Sequence, residues 1–203
     1  MLDAWAPHRC VIVDLRGRGA SDAPERGYTV DDHVGDLDAV VADARIGPVH
    51  LVAYSRGTTY ALAWALEHPD SVLSLTVGDY RAEQIVPPDG WASWWMSTSW
   101  RGIPMTERMQ PHVVHEVARD VTAISYWSRL AELPCPVLVI RPTAGAFWMT
   151  LRSNSGADTA PTWKSWSSTA LITTSSPTIN SASSGRGSIA SRAVEVRGDG
   201  DHR

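Results

Sequence analysis

The sequence predicts an α/β fold with a mostly parallel sheet flanked by helices. Short runs of apolar, β-branched residues alternate along the chain with longer segments whose apolar residues recur every three or four positions. The short runs are apolar at consecutive positions, as is typical of parallel strands that are covered on both faces. Strands that alternate with helices in this way are the pattern of a layered α/β domain.

Four strands and two helices are predicted in the first 141 residues. The first helix follows Thr29, and Asp32 stands three residues later, which is the spacing of a capping box. Its apolar residues are spaced by three and four, and the Gly-Pro pair at 47–48 ends it. The second helix covers residues 57–68, because Pro69 stops it. The strands are expected at residues 9–14, 49–53, 72–77 and 136–140.

Composition and charge exclude several classes of protein. The 203 residues carry a formal net charge of −4, which gives no electrostatic reason to bind nucleic acid or a membrane surface. No apolar run reaches the roughly 18 residues that cross a bilayer, and we expect no signal peptide. The 2 cysteines are far apart and suggest neither a disulfide framework nor a zinc site. We therefore expect a cytoplasmic globular protein.

The chain divides into four segments by sequence pattern. Residues 1–86 carry the first three strands, and residues 131–141 carry the fourth. Residues 87–130 form a helical insertion that is rich in tryptophan. Residues 142–203, here called the tail, are rich in serine and threonine and have no apolar period, so we expect them to be irregular. Lysine, asparagine and phenylalanine occur only in the tail.

A sharp turn at Ser55 is the strongest candidate for a functional site. In LVAYSRGTT (residues 51–59), a strand ends, a serine follows, and a helix begins at Gly57. This shape places a serine above the sheet and beside a helix N-terminus, where backbone N–H groups can hold an oxyanion. Ala53 and Gly57 make the motif A-x-S-x-G rather than G-x-S-x-G. The alternative is that Ser55 only caps the helix, since serine is favoured there.

The chain resembles the middle of an α/β-hydrolase-fold enzyme from residue 9 to residue 80. The D-L-R-G-x-G-x-S-D loop is residues 14–22, the nucleophile turn is Ser55, and H-P-x-x-V is residues 68–72. The similarity returns at residues 130–141. The resemblance implies that Ser55 is the nucleophile and that the Arg56 N–H is one oxyanion donor. It also implies that residues 87–130, here called the cap, cover an acyl pocket, and that no metal or organic cofactor is needed.

A serine nucleophile limits the chemistry. With a histidine base it performs acyl transfer on esters, thioesters, amides, lactones or carbon–carbon bonds. Similar enzymes that open epoxides or remove halide use aspartate at this position, which argues against those reactions. The tryptophan- and methionine-rich cap favours a small apolar acyl substrate, with Tyr54, Trp91 and Trp95 as candidate binding residues. The alternative is that these side chains only hold the cap on the core. The sequence does not determine the oligomeric state.

The remaining catalytic groups are not evident in the sequence. In the family, one oxyanion donor lies in a loop before the position of Met1, and the acid and histidine follow strands beyond residue 140. We expect His112 and His115 on the cap surface and His50 packed within a strand. Asp79 ends a strand near the site and is the remaining candidate for the catalytic acid.

A change of reading frame accounts for the tail. If the coding DNA slipped by one frame near residues 142–146, codon pairs 147–148, 148–149 and 149–150 would encode Leu-Asp-Asp whichever synonymous codons were used. With GC-rich codons, residues 162–178 would become a strand and a Gly-x-x-His loop. We therefore expect a truncated, frameshifted and impaired hydrolase. The alternatives are a natural tail, a non-catalytic small-molecule-binding remnant, and a non-functional pseudogene product.

Overall fold

The computed structural model describes residues 8–78, 80–140, 171–173 and 192–196. The first part of the core contains β1 (Arg9–Asp14), α1 (Val30–Ala44), β2 (Val49–Tyr54), α2 (Gly57–Glu67) and β3 (Val72–Gly78). Next come β4 (Glu83–Gln84), α3 (Trp91–Met96), β5 (Ser99–Trp100), β6 (Ile103–Pro104), α4 (Met105–Arg108), α5 (Pro111–Asp120) and β7 (Ile124–Ser125). The remaining strands are β8 (Val137–Ile140), β9 (Leu171–Thr173) and β10 (Arg192–Val196).

The main sheet has the strand order β10-β1-β9-β2-β3-β8. The pairs β2–β3 and β3–β8 are parallel. Strand β9 is antiparallel to both β1 and β2, so β1 runs in the same direction as β2. The four strands predicted from the sequence therefore share one direction, and the predicted mostly parallel sheet is confirmed. The carboxyl ends of β1, β2 and β3 lie at one edge, here called the functional edge.

Strands β9 and β10 lie in the tail, where the sequence analysis expects irregular structure. Strand β9 occupies the position between β1 and β2, and β10 pairs with the other side of β1 in antiparallel register. A gap there would leave backbone N–H and C=O groups of β1 and β2 without partners, and an inserted strand satisfies them. Residues 147–150, whose codon pairs encode Leu-Asp-Asp in the shifted frame, lie outside the described residues.

Helix α1 begins with the predicted capping box. The Thr29 hydroxyl accepts a hydrogen bond from the Asp32 N–H at 3.2 Å, and the Asp32 carboxylate accepts one from the Thr29 N–H at 2.9 Å. The helix ends at Arg45, whose backbone is left-handed (φ 49°) and whose N–H donates to the Ala42 carbonyl. Local polar groups at both ends therefore set the length of this helix.

Helix α2 packs against α1 and against strands β2 and β3. Residues 58–65 are all buried, as expected for a helix that is apolar on every side. It ends at Glu67, two residues before Pro69. Strand β2 sends alternate residues into the same core, which include Val49, Leu51 and Ala53. Among the helices that the structure describes, none combines the length and apolar composition of a membrane span.

The cap leaves the core and returns to it at adjacent points, because β4 and β7 pair with each other in antiparallel register. It contains α3, α4, α5 and the small β5–β6 hairpin, so it is less purely helical than the sequence suggests. The Tyr28 N–H of the core donates to the Asp120 carboxylate of α5 at 3.0 Å, and the Tyr28 ring packs on Val113. Gly17 (φ 72°) faces Val113 so closely that a Cβ there would overlap it. The cap is thus seated directly on the loop that follows β1.

Candidate active site

The backbone at Ser55 makes the sharp turn that the sequence predicts. Ser55 has φ 52°, in the left-handed region that residues other than glycine rarely adopt. Its N–H donates to the Gly78 carbonyl at the end of β3 at 2.8 Å, and its carbonyl accepts from the Thr58 N–H at 2.9 Å. These two hydrogen bonds hold a strained conformation of the kind that is concentrated at functional sites. Ser55 therefore stands between β2 and α2 at the functional edge.

Arg56 is the residue between Ser55 and the first turn of α2. Its backbone is in the right-handed helical region, and it forms the N-cap of the helix. In the part of the chain that the structure describes, no backbone acceptor takes the Arg56 N–H. An amide at a helix N-terminus has the position and the dipole direction needed to stabilise a negative oxygen. This placement fits the oxyanion role that the resemblance implies for Arg56.

No histidine ring among the described residues is hydrogen-bonded to Ser55. The His50 ring on β2 lies 2.8 Å from the Ser74 hydroxyl on β3, so it is paired within the sheet. The His68 ring lies 3.0 Å from the Asp38 carboxylate at the other end of α2. These rings bind core elements to one another and do not form a base for Ser55.

The other polar candidates of the sequence analysis are distributed as follows. His115 is exposed on α5, whereas His112 is half-buried, so only one of the two histidines lies openly on the cap surface. Asp79 lies outside the described residues. No group of three potential metal ligands occurs among the residues that the structure describes.

Of the three predicted substrate-binding residues, Tyr54 directly precedes Ser55 and Trp91 contacts Arg56, whereas Trp95 is reached through Trp91. The Arg56 guanidinium carbon is 5.7 Å from the centre of the Trp91 ring, within cation–π range. Trp91 and Trp95 stack with ring centres 5.6 Å apart and an interplanar angle of 17°. Tyr54 ends β2 and is 45% exposed. The Arg56–Trp91 contact joins core to cap, as the alternative that the tryptophans hold the cap on the core predicts.

Arg16, in the loop after β1, is paired with carboxylates of α1. Its Nε and Nη2 atoms donate to the two Asp36 oxygens at 2.7 and 2.8 Å. It also donates to the carbonyls of Gly27 and Asp32, at 2.5 and 2.9 Å. Burial alone would lower the pKa of Arg16, but the hydrogen bond and the charge of Asp36 raise it. Arg16 thus connects the loop to α1.

Arg18 follows in the same loop, and the sequence analysis did not single it out. Its Nη1 donates to the Arg16 carbonyl at 3.1 Å, and its backbone pairs with Met109 of the cap. Burial lowers the pKa of Arg18, and the positive charge of Arg56 lowers it further, while Tyr60 and Tyr28 act in the opposite direction. The sequence did hold one indication of Arg18, because the loop after a predicted parallel strand opens at the same edge of the sheet as Ser55.

His33 is a buried histidine behind the site. It stacks on Tyr60 of α2 with ring centres 3.7 Å apart and planes 3° apart. Its Nδ1 lies 2.7 Å from the Thr29 carbonyl, which can only accept, so Nδ1 carries the proton. Burial lowers the pKa of His33 to about 4, against the opposing effect of this hydrogen bond. The ring is therefore neutral at pH 7 and packs as part of the core.

Comparisons with known proteins agree with this geometry. A family model described as alpha/beta hydrolase fold matches residues 3–176. Part of the chain is similar to a protein of Arabidopsis thaliana named probable lysophospholipase BODYGUARD 1, with 39% identity over 76 residues, 36% of this chain and 16% of that protein. Part is similar to 2-(acetamidomethylene)succinate hydrolase of Mesorhizobium japonicum, with 34% identity over 70 residues, 34% of this chain and 25% of that protein.

A solved structure shows the same fold. A hydrolase from Pseudomonas aeruginosa PA01 superposes with a TM-score of 0.52 at 21% identity, covering 63% of this chain and 59% of that one. The chain thus spans less than two thirds of the length of these relatives. The match over residues 3–176, together with the strand order and the turn at Ser55, shows that the chain belongs to the alpha/beta hydrolase fold family.

Proposed function

We propose that this chain is a hydrolase of esters or related acyl bonds and that Ser55 is its nucleophile. The observation that carries the proposal is the left-handed turn at Ser55 between β2 and α2, at the functional edge of an α/β-hydrolase sheet. A serine held in this way has its hydroxyl at a helix N-terminus, where a negative charge that develops on a substrate oxygen is stabilised. Hydrolase relatives support the same class of reaction.

The reaction has two steps. The Ser55 oxygen attacks the acyl carbon, the carbonyl oxygen becomes negative, and the Arg56 N–H donates to it. The bond between the acyl carbon and the leaving group then breaks, and the leaving group takes the proton of the serine hydroxyl. Water attacks the acyl-serine ester in the second step, releases the carboxylic acid, and restores the hydroxyl.

The proposed substrate is a small acyl compound with an apolar portion beneath the cap. The stacked rings of Trp91 and Trp95 offer an apolar surface next to the turn, reached through the Arg56 contact. One relative is named for the hydrolysis of 2-(acetamidomethylene)succinate, itself a small molecule. We also propose a cytoplasmic location, which cell fractionation followed by immunoblotting would test.

We expect turnover by this chain to be slow. Among the described residues, no histidine is hydrogen-bonded to Ser55, and enzymes that lack a triad member keep only about 10³- to 10⁴-fold catalysis over water. We propose that the slow turnover has its origin in a frameshift of the coding DNA. Sequencing across codons 140–150 tests that origin, and an unbroken frame in closely related genes would contradict it.

Labelling with a fluorophosphonate, followed by mass spectrometry of the intact chain and its peptides, tests the nucleophile. We expect one label per folded chain, located at Ser55, and no label in Ser55→Ala. Ser125→Ala is the control, because Ser125 is exposed on β7 and should leave labelling unchanged. A folded chain that takes no label, or a Ser55→Ala chain that is labelled as before, contradicts the proposal. Fast ester turnover by the unmodified chain would contradict only the expected impairment.

A non-catalytic binding remnant is the second candidate. The lack of a histidine bonded to Ser55 in the described part of the chain favours it. It predicts that small acyl compounds raise the melting temperature while Ser55 remains unlabelled. A non-functional product would instead show no cooperative melt and would elute as aggregate from a size-exclusion column, because unpaired sheet edges promote aggregation.

A further inference from the structure

We propose that Arg18 and Arg56 form an anion-binding pair beside Ser55 and that the acyl substrate carries a carboxylate which this pair holds. The inference rests on the proposed function, because it assigns the substrate class of the same site. It narrows that class from a small acyl compound to a monoester, or a related monoacyl derivative, of a dicarboxylic acid.

The topology brings both arginines to the same place. Strands β1 and β2 run in one direction, so the loops that follow them open at the same edge of the sheet. Arg18 lies in the loop after β1, and Arg56 directly follows Ser55 after β2. The cap contacts both, through Met109 at Arg18 and through Trp91 at Arg56. Both residues therefore lie where the core meets the cap.

The charges of this pair are not neutralised by the described part of the protein. Arg16 forms two hydrogen bonds to the Asp36 carboxylate, whereas no carboxylate among the described residues contacts Arg18 or Arg56. The Arg56 Nη1 atom is buried and has no hydrogen-bond partner in that part of the chain. A buried charged group without a partner costs free energy, and a bound anion would remove that cost.

The electrostatics of Arg18 agree with a site that binds an anion. Burial is the main cause that lowers the pKa of Arg18, and the nearby Arg56 charge lowers it further, against the opposite effects of Tyr60 and Tyr28. A negative group beside the two guanidinium groups would attract both and so oppose the lowering of the Arg18 pKa.

A carboxylate is the anion that fits best. Guanidinium groups are planar and present paired N–H donors that match the two oxygens of a carboxylate. The cation–π contact with Trp91 restricts the Arg56 side chain, which reduces the entropy lost on binding. Because Arg56 adjoins Ser55 in sequence, the carboxylate and the scissile acyl group would belong to one small molecule.

Isothermal titration of the whole chain in a Ser55→Ala background tests the pair without any need for turnover. The ligands are succinate, glutarate and adipate, which are products of hydrolysing such monoesters, and adipamide is the uncharged match. We expect at least one diacid to bind at least about tenfold more tightly than adipamide, since charge-assisted hydrogen bonds are the strong ones. Arg18→Gln and Arg56→Gln should each weaken that binding about tenfold or more. Arg26→Gln, an exposed arginine in the same loop, should leave it unchanged.

The result that overturns the proposal is equal binding of diacids and adipamide, or equal binding by the three arginine variants. Inorganic phosphate is included because guanidinium pairs also bind phosphate. Phosphate that binds as tightly as the best diacid would make the carboxylate assignment wrong. If Arg18→Gln or Arg56→Gln does not fold, the salt dependence of diacid binding by the parent chain is measured instead. Binding to the pair should weaken between about 50 and 500 mM salt. An affinity that does not change with salt contradicts the proposal. Fluorophosphonate labelling of Ser55 is independent, so the two proposals can fail separately.

Discussion

Arg16 and Arg18 are two residues apart in one loop, yet their environments are opposite. The Arg16 guanidinium is neutralised by Asp36 and also bonded to backbone carbonyls, and Asp36 raises the pKa of Arg16 against the effect of burial. The Arg18 guanidinium has a single backbone acceptor among the described residues and a lowered pKa. The partners of an arginine, rather than its residue type or its position in the sequence, therefore separate a structural arginine from one that is available to a ligand.

The largest change in the free energy of unfolding is expected from Arg16→Gln. This change leaves Asp36 buried without the guanidinium that pairs with it, and removing one partner of a buried ion pair typically costs about 3–5 kcal/mol. Urea unfolding monitored by tryptophan fluorescence measures the loss. Arg26→Gln in the same loop should change the free energy of unfolding by less than about 0.5 kcal/mol. A loss below about 1 kcal/mol for Arg16→Gln would contradict the structural role of Arg16.

Acidification should destabilise the region next to this loop through His33. The unfolded chain protonates its histidine below about pH 6.5, whereas burial lowers the pKa of His33 in the folded protein to about 4. The folded state therefore binds fewer protons in that window, and stability is lost as the pH falls from 6.5 to 4, by about 3 kcal/mol in total. Urea unfolding at several pH values measures the slope.

His33→Phe separates the loss of stability that comes from protonating His33 from the loss that comes from protonating carboxylates. The aromatic ring can still stack on Tyr60 but cannot take a proton, so the slope between pH 6.5 and 4 should become shallower. His115→Gln, at an exposed position on α5, should keep the slope of the parent chain. An unchanged slope in His33→Phe would show that His33 does not titrate as described.

A smaller effect is expected at the start of α1, the helix that carries the partners of Arg16. Thr29→Ala removes the hydroxyl that accepts from the Asp32 N–H, and loss of such a cap typically costs about 1 kcal/mol. Thermal unfolding followed by circular dichroism measures it. Thr122→Ala, at an exposed loop position, is the control and should have little effect. Equal melting temperatures for the two variants would contradict the role of the cap.

The smallest effect on stability is expected from Arg18→Gln. It removes a half-buried charge near Arg56, which is favourable, and one hydrogen bond to a backbone carbonyl, which is unfavourable by about 0.5–1.5 kcal/mol. The net change in unfolding free energy should stay below about 1 kcal/mol. A loss as large as that of Arg16→Gln, measured in the same urea series, would give Arg18 a structural role and end the contrast between the two residues.

Local patterns predicted much of the core. The spacing of Thr29 and Asp32 located the start of α1, and Pro69 located the end of α2 to within one residue. The turn at Ser55 was also evident, because a strand, a serine, a glycine and a helix within nine residues leave few backbone geometries. Strands β2 and β3 each extend one residue beyond the prediction, since Tyr54 and Gly78 pair with each other across the sheet.

The sequence by itself determined the order of β1, α1, β2, α2, β3 and β8, the capping of α1 and the sharp turn at Ser55, because each depends on residues that are close together in the chain. The tertiary structure alone decided that β9 lies between β1 and β2, that His33 stacks on Tyr60, and that the cap contacts both Arg18 and Arg56. Those features depend on contacts between segments that are far apart in sequence. The spacing of residues along the sequence sets local structure, but it does not say which distant segments will pack against each other.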